Sequence, residues 1–192
     1  SVHPGFGMYA LNDADGAPWR AIPQGYGVHG HGLEGVMFEG FYLPPQQAGL
    51  TLPALGSELT RWLDRPGRVD QFGFMVRDDN KGRVRRLPTG GVVIHKSLSP
   101  RTVNRLQRGA ALLAELLLRG GGREVYTCVG DVGAIQTVAE ARRINARPLR
   151  AQDFMVLGAH PLATCRMGAS PRDSVVDFEH RVHGTQNLYV VD

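Results

Sequence analysis

The stretch His160-Pro-Leu-Ala-Thr-Cys-Arg-Met-Gly168 is the segment from which the fold and function of this chain are best inferred. Because a proline restricts the residue before it, the backbone at His160 is predicted to be extended. Small residues at Ala163, Thr164 and Gly168 leave room for a flat, bulky molecule to approach the chain. A histidine side chain exchanges protons near neutral pH. The stretch is therefore a candidate site, although a histidine beside a proline is more often a structural residue.

Two downstream segments extend this pattern, namely Ser174-Val-Val-Asp-Phe-Glu-His-Arg-Val-His-Gly184 and Asn187-Leu-Tyr-Val-Val-Asp192. Together, the three segments resemble the C-terminal signature of the glucose–methanol–choline (GMC) oxidoreductases. That signature reads roughly H-P-x-G-T-C-R-M-G, then V-V-D-x-x-x-R-V-x-G, then L-x-V-x-D. One position departs from it, because Ala163 stands where the family commonly has glycine. If the backbone must adopt a positive φ there, alanine is less favourable than glycine. We interpret Ala163 as a tolerated variant.

The resemblance implies an α+β fold. Residues 1–150 are expected to form a substrate-binding domain, a mostly antiparallel sheet with helices on one face. Residues 151–192 are expected to be the C-terminal part of an FAD-binding α/β domain. The family's dinucleotide-binding segment has no counterpart in this sequence, and neither does its second catalytic histidine or asparagine. The expected partner is therefore a missing N-terminal FAD-binding portion, so the chain is interpreted as a fragment or as one chain of a split protein.

The resemblance also implies a chemistry, the FAD-dependent oxidation of an alcohol to a carbonyl compound. His160 aligns with the catalytic histidine of the family and is the candidate base. Thr164 is expected near the flavin ring, and Asp192 near the cofactor's phosphates. Arg166 and Asp177 are interpreted as an ion pair or a turn anchor rather than as catalytic residues.

A hydrophobic alcohol is the predicted small-molecule substrate. Aromatic and aliphatic residues on the predicted strands could line an apolar pocket, namely Phe41, Phe72, Phe74 and Ile94. Strand aromatics more often belong simply to a core.

Two alternatives stay open. A flavoprotein of the same fold could act as a lyase, with the same histidine as acid and base. The chain could also be a binding module or fragment without flavin and without activity of its own. A redox change of the flavin during turnover would indicate alcohol oxidation rather than lyase chemistry. A colourless protein would indicate the flavin-free fragment.

Composition excludes several other classes. The net charge is +4 and the basic residues are scattered. The densest cluster, Arg83, Arg85 and Arg86, has no interleaved aromatic residues, so nucleic-acid binding is not expected. Two cysteines do not make a disulfide framework, and a reduced cytoplasmic protein is the simpler expectation. No apolar run approaches the roughly 20 residues that span a bilayer, and no set of metal ligands with suitable spacing is visible.

The string Gly25-Tyr-Gly-Val-His-Gly30 spells G-x-G-x-x-G, but its context argues against dinucleotide binding. That fingerprint requires a strand before it and a helix after it. Here a strand-like segment at 36–43 follows, and it ends at two prolines.

Periodicity and end signals predict the remaining elements. A helix is predicted over 100–118, because Ser99 is a good N-cap and Pro100 suits the first helical position. Its apolar residues form one stripe at three- and four-residue spacing, namely Val103, Leu106, Ala110, Leu113 and Leu117. A second helix is predicted at 58–63 with Ser57 as its N-cap, and a third at about 134–144. Strands 71–77 and 83–87 are predicted to pair as a hairpin, with a third strand at 91–95. Residues 44–56 are predicted to be a loop.

Overall fold

The computed structural model describes residues 2–20, 22, 24–30, 32–161 and 164–191. Within these ranges the chain forms eight strands and four α-helices, joined by turns and short 3-10 segments. The strands are β1 (Gly5–Leu11), β2 (Gly27–Val28), β3 (Val36–Gly40), β4 (Val69–Val76), β5 (Arg83–Arg86), β6 (Val92–His95), β7 (Glu124–Tyr126) and β8 (Ala134–Ile135). The helices are α1 (Pro45–Thr51), α2 (Gly56–Leu63), α3 (Pro100–Arg119) and α4 (Val138–Arg143).

The chain divides into two compact units. The sheet unit comprises residues 4–79 and 98–157. The motif unit comprises residues 1–3, 80–97 and 158–192, and so contains the stretch that begins at His160. The predicted division at residue 150 separates a substrate-binding domain from part of an FAD-binding domain, and it stays a prediction.

The sheet unit is built on a six-stranded sheet in the order β2-β3-β4-β1-β7-β8, in which every neighbouring pair is antiparallel. Its longest pairing joins β1 and β4, from Gly5 opposite Met75 to Leu11 opposite Val69. Short connections join only β2 to β3 and β7 to β8, whereas the other three pairings bring together strands that are distant along the chain. The α+β class with a mostly antiparallel sheet is thereby confirmed.

The predicted hairpin between residues 71–77 and 83–87 is wrong. Strand β4 lies in the middle of the sheet, with β1 on one side and β3 on the other, so both of its hydrogen-bonding edges are occupied. Strand β5 pairs instead with β6 in a separate two-stranded ladder, from Arg83 opposite His95 to Arg86 opposite Val92. Only the second half of the expected three-stranded arrangement therefore forms.

Helix α3 covers one face of the six-stranded sheet. The hydroxyl of Ser99 accepts the backbone N–H of Thr102, and Pro100 occupies the first helical position, as predicted. Such a cap contributes about 1 kcal/mol to helix stability. The predicted apolar stripe is confirmed, with Leu106 and Leu113 fully buried. It packs on an aromatic layer in which Phe74 lies 5.5 Å from both Phe6 and Phe38, measured between ring centroids.

The other face of the sheet carries more polar contacts. Tyr9 and Tyr126 are paired across β1 and β7, so their side chains share this face. The hydroxyl of Tyr126 donates to the Pro53 carbonyl at 2.9 Å, and its ring meets Trp62 of α2 edge-on at 5.9 Å. The hydroxyl of Tyr9 bonds to Thr51 at the end of α1. Helices α1 and α2 therefore contact the face opposite α3, so the expectation of helices on one face only is wrong.

Three local predictions need correction. The segment predicted as a loop at 44–56 contains helix α1, whose first residue is the helix-compatible Pro45. Helix α2 starts at Gly56, and no side chain caps its first turn, so Ser57 is not its N-cap. The helix predicted from about 134 begins only at Val138, because residues 134–135 pair with β7 and Thr137 with Glu140 forms a capping box.

Candidate active site

His160 lies in an exposed segment without regular secondary structure, at the start of the motif. Three residues before it, Leu157 ends the sheet unit, where it exchanges two backbone hydrogen bonds with Gly5 at 2.7 and 2.9 Å. Thr164 is also exposed, in a turn. The other two positions tied to the site by sequence, Ala163 and Asp192, lie outside the described residues.

The backbone around His160 presents hydrogen-bond donors to its surroundings. Within the part of the chain that the structure describes, the N–H groups of Gly158, Ala159, His160 and Thr164 make no hydrogen bond. All four residues are exposed. Since backbone N–H groups need acceptors, this segment can donate to water or to a bound molecule.

The C-terminal end of the motif is held by a small polar cluster, which we call the Gly168 cluster: Gly168, Ser170, Ser174 and His183. The hydroxyl of Ser174 lies 2.6 Å from the Ser170 carbonyl and 3.1 Å from the Gly168 carbonyl. Nε2 of His183 lies 2.8 Å from the Ser174 hydroxyl and 3.2 Å from the Gly168 carbonyl. The backbone N–H of Gly168 donates to Val176 at 2.9 Å. The chain between Gly168 and Val176 is thereby closed into a compact loop.

Asp177 anchors the next turn. Its carboxylate accepts the N–H groups of Glu179 and Arg181 at 3.0 and 2.9 Å, and the Arg181 guanidinium at 2.9 Å. Burial acts to raise the pKa of Asp177, but the hydrogen bonds from the Arg181 and Glu179 backbone and from the Arg181 side chain outweigh it and lower that pKa. The turn-anchor interpretation of Asp177 is confirmed, with Arg181 rather than Arg166 as its partner.

Arg166, His180 and His183 all belong to the loop and turns that follow the motif. The Arg166 guanidinium donates to the backbone carbonyl of Asp173, and its own carbonyl accepts the N–H of Val175 at 2.9 Å. His180 is half-buried and adopts a positive φ of 64° in the turn after Asp177. His183 belongs to the Gly168 cluster, which the sequence did not predict. Its partner Ser174 lies nine residues away, outside any helical or strand spacing that could have indicated the pair.

The residues proposed to line an apolar pocket separate in the structure. Phe41 and Phe72 line a surface cleft of about 340 Å³ in the sheet unit, together with Tyr26, Tyr42 and Leu117. Phe74 is 1% exposed and belongs to the core beneath α3. Ile94 is 73% exposed on the β5–β6 ladder of the motif unit. The structure thus brings two of these four residues together.

Buried titratable groups of the sheet unit are poor candidates for a base. Burial raises the pKa of Tyr9 and of Cys128 to about 12 each. Near neutral pH both groups therefore stay protonated, and neither can accept a proton from a substrate. Among the described residues no group of three or more histidine, cysteine or carboxylate side chains could hold a metal ion.

The glycine-rich string at 25–30 has no phosphate-binding geometry around it. Gly27–Val28 forms the short strand β2, which pairs with β3, and the next regular element in the described chain is a strand. None of the helices in the described ranges has the length and hydropathy that a membrane crossing needs.

Comparison with known proteins gives a consistent result. A family model described as GMC oxidoreductase matches residues 79–192. The whole chain aligns over 197 residues, at 31% identity, with the uncharacterized GMC-type oxidoreductase MT0511/MT0512 of Mycobacterium tuberculosis (strain CDC 1551 / Oshkosh). The same figures hold for the uncharacterized GMC-type oxidoreductase Rv0492c of strain H37Rv, and the chain spans 30% of the length of either relative. With a family model covering more than half of its residues, including every segment of the motif unit from residue 80 onward, this chain belongs to the GMC oxidoreductase family.

Proposed function

We propose that the protein containing this chain oxidises an alcohol to a carbonyl compound with FAD, and that His160 is the base. The observation that carries the proposal is the exposed His160 at the head of a segment with uncommitted backbone donors. Membership of the GMC oxidoreductase family supports the reaction class. Because the chain spans 30% of its relatives, the remaining length is proposed to supply the rest of the FAD site.

The residues present fit a flavin. Its ring carries carbonyl and nitrogen acceptors. The N–H groups of residues 158–160 and of Thr164, which make no hydrogen bond within the described part of the chain, are donors of the matching kind. Thr164 adds an exposed hydroxyl. We therefore propose that residues from 151 onward complete the FAD-binding domain, and that residues 1–150 form the substrate domain.

His160 would act as the general base that accepts the hydroxyl proton of the alcohol. A bound FAD supplies the acceptor for the hydride that leaves the alcohol carbon. A neutral imidazole accepts the hydroxyl proton at its unprotonated ring nitrogen, which requires hydrogen-bond reach of the alcohol oxygen. Loss of that proton and of the hydride turns the C–O single bond into a carbonyl. The exposed donors beside His160 would orient the reacting molecules.

The test uses the full-length protein and the variant His160→Ala, with His95→Ala as a matched control at another exposed histidine. We expect His160→Ala to slow anaerobic reduction of the flavin by alcohol by about 10²- to 10⁴-fold, the usual contribution of a general base. The oxidised flavin spectrum and the flavin content should stay the same. A His160→Ala rate within about threefold of the wild-type rate would exclude His160 as the base. With a hydroxynitrile as substrate, carbonyl formation by loss of cyanide without flavin bleaching would favour the lyase alternative.

A hydrophobic alcohol is the proposed substrate class. The cleft that contains Phe41 and Phe72 is dominated by apolar and aromatic side chains, as expected of a site for an alkyl chain or a ring system. Each additional buried methylene is worth about 0.8 kcal/mol. We therefore expect kcat/KM to rise roughly fourfold per methylene along a series of primary alcohols until the cleft is filled. A flat or falling series would reject the hydrophobic assignment and leave the reaction class untouched.

A further inference from the structure

We infer that His183 and Ser174 are positioning residues that hold the C-terminal end of the 160–168 motif through the Gly168 carbonyl. This inference rests on the proposed function, since the segment held in place is the one proposed to meet the flavin. It names two side chains that neither the sequence pattern nor the family comparison assigns to any role.

The proton on His183 can be assigned from the acceptors around it. A carbonyl oxygen can only accept, so the 3.2 Å contact between His183 Nε2 and the Gly168 carbonyl requires a proton on Nε2. Ser174 has a single hydroxyl proton, and the nearest carbonyl, that of Ser170 at 2.6 Å, takes it. The Ser174 oxygen then accepts from His183 Nε2 at 2.8 Å. A proton on His183 Nε2, shared between the Ser174 oxygen and the Gly168 carbonyl, accounts for both contacts of this nitrogen.

This assignment also separates the pair from a serine–histidine catalytic dyad. In a dyad the histidine accepts the serine proton. Here the serine proton points to a backbone carbonyl, and the histidine is the donor. The pair is therefore arranged to hold backbone in place.

The backbone of the loop reinforces the same point. A Cβ added at Gly168 would lie 2.9 Å from the Ser174 Cβ, so this position accepts no side chain without a shift. The N–H of His183 donates to the Val175 carbonyl at 3.1 Å, and the next residue, Val176, is 1% exposed at the end of the loop. Side chain and backbone of His183 thus both bind the loop that begins at Gly168.

Position matters here because several backbone donors that precede Gly168 in the motif make no hydrogen bond within the described residues. The N–H groups of residues 158–160 and of Thr164 bond to nothing in the described chain. After Thr164, hydrogen bonds hold the Arg166 carbonyl and the N–H of Gly168. Loss of the His183 donor should therefore loosen the C-terminal half of the motif, from Thr164 to Gly168.

The experiment compares His183→Gln and His183→Asn in the full-length protein. Glutamine places an amide N–H where His183 has Nε2, whereas asparagine places one where it has Nδ1. We measure hydrogen–deuterium exchange of the peptide covering residues 164–170, and the flavin retained after gel filtration. We expect wild-type exchange and flavin content in His183→Gln. In His183→Asn we expect about tenfold faster exchange, the effect of losing one hydrogen bond, and less flavin.

Each outcome decides the matter. Unchanged exchange in His183→Asn, or equally fast exchange in both variants, overturns the role of the Nε2 donor. Faster exchange with full flavin retention in His183→Asn overturns its role in positioning the motif for the cofactor. If the wild-type protein holds no flavin, the proposed function fails, and the exchange comparison still decides whether His183 holds Gly168.

Discussion

Gly109 shows how one residue sets the distance between a helix and the sheet beneath it. It lies in the interior of α3, where glycine is about 1 kcal/mol less favourable than alanine. A Cβ built at this position would approach the Phe74 ring to 2.6 Å. The absence of a side chain therefore lets α3 rest directly on the aromatic layer of β4.

Gly109→Ala should accordingly destabilise the chain despite the better helix propensity of alanine. We expect a loss of about 1–3 kcal/mol in the free energy of unfolding, the usual cost of overpacking a core. Urea unfolding of the chain, followed by circular dichroism, measures it. Gly49→Ala in α1 is the matched control, because its Cβ would meet Leu63 at an ordinary 3.5 Å. That control should be neutral or stabilising by up to about 1 kcal/mol, and equal effects of the two substitutions would contradict the packing argument.

At the scale of elements, α3 and α4 are joined by ion pairs at Glu115. The Arg142 guanidinium binds both carboxylate oxygens, at 2.8 and 2.9 Å, and Arg119 binds one of them at 2.8 Å. Hydrogen bonds from Arg142 and then Arg119 lower the pKa of Glu115 from 4.5 to about 2. The two arginines come from different helices, so the carboxylate connects the end of α3 with α4.

This pairing gives a pH dependence with a definite sign. A carboxyl whose pKa is lower in the folded than in the unfolded state stabilises the fold above its unfolded pKa, and the benefit is lost as pH falls through the folded value. The stability difference between wild type and Glu115→Gln should therefore be largest above about pH 5 and should shrink toward pH 2. Urea unfolding of both proteins across this range measures it. Arg142→Gln should show a similar trend, and a difference that is constant with pH would refute the pairing.

Helices and strands were predictable where the residues that mark them lie close together in sequence. Ser99 and Pro100 mark the start of α3, and the stripe at Leu106 and Leu113 marks its buried side, so this helix was predicted almost to the residue. Strand β4 was also predicted, at 71–77, but the sequence of a strand does not show which strands lie beside it. Its pairing with β1 and β3 depends on segments that are distant in sequence, and the predicted hairpin failed for that reason.

At the scale of the whole molecule, the two units differ in how much core they contain. The sheet unit holds the aromatic and aliphatic cluster around Phe74 and Leu106. In the described part of the motif unit, Val176 is the one buried residue, while Phe178 and Val191 are 65% and 81% exposed. A unit with so little buried apolar surface has low local stability.

Limited proteolysis should reveal this difference. In the 192-residue chain expressed alone, we expect the first cleavages within residues 80–97 or 158–192. Residues 98–157 should persist, because α3 and β7 bury their side chains in the sheet unit. In the full-length protein, the same sites should be protected if the remaining length covers the motif unit. Equal rates at these sites in both proteins would contradict the proposed FAD-binding role of the segment.

The sequence alone determined the family resemblance, the α+β class and helix α3, because each depends on residues that are close together along the chain. His160 as base and Thr164 as a flavin contact stay predictions, as does Asp192. Only the tertiary structure decided the central place of β4, the contact of Gly109 with Phe74 and the Gly168 cluster. In each of these the partners are separated along the chain, and their distances follow from packing and hydrogen bonding that no local pattern encodes.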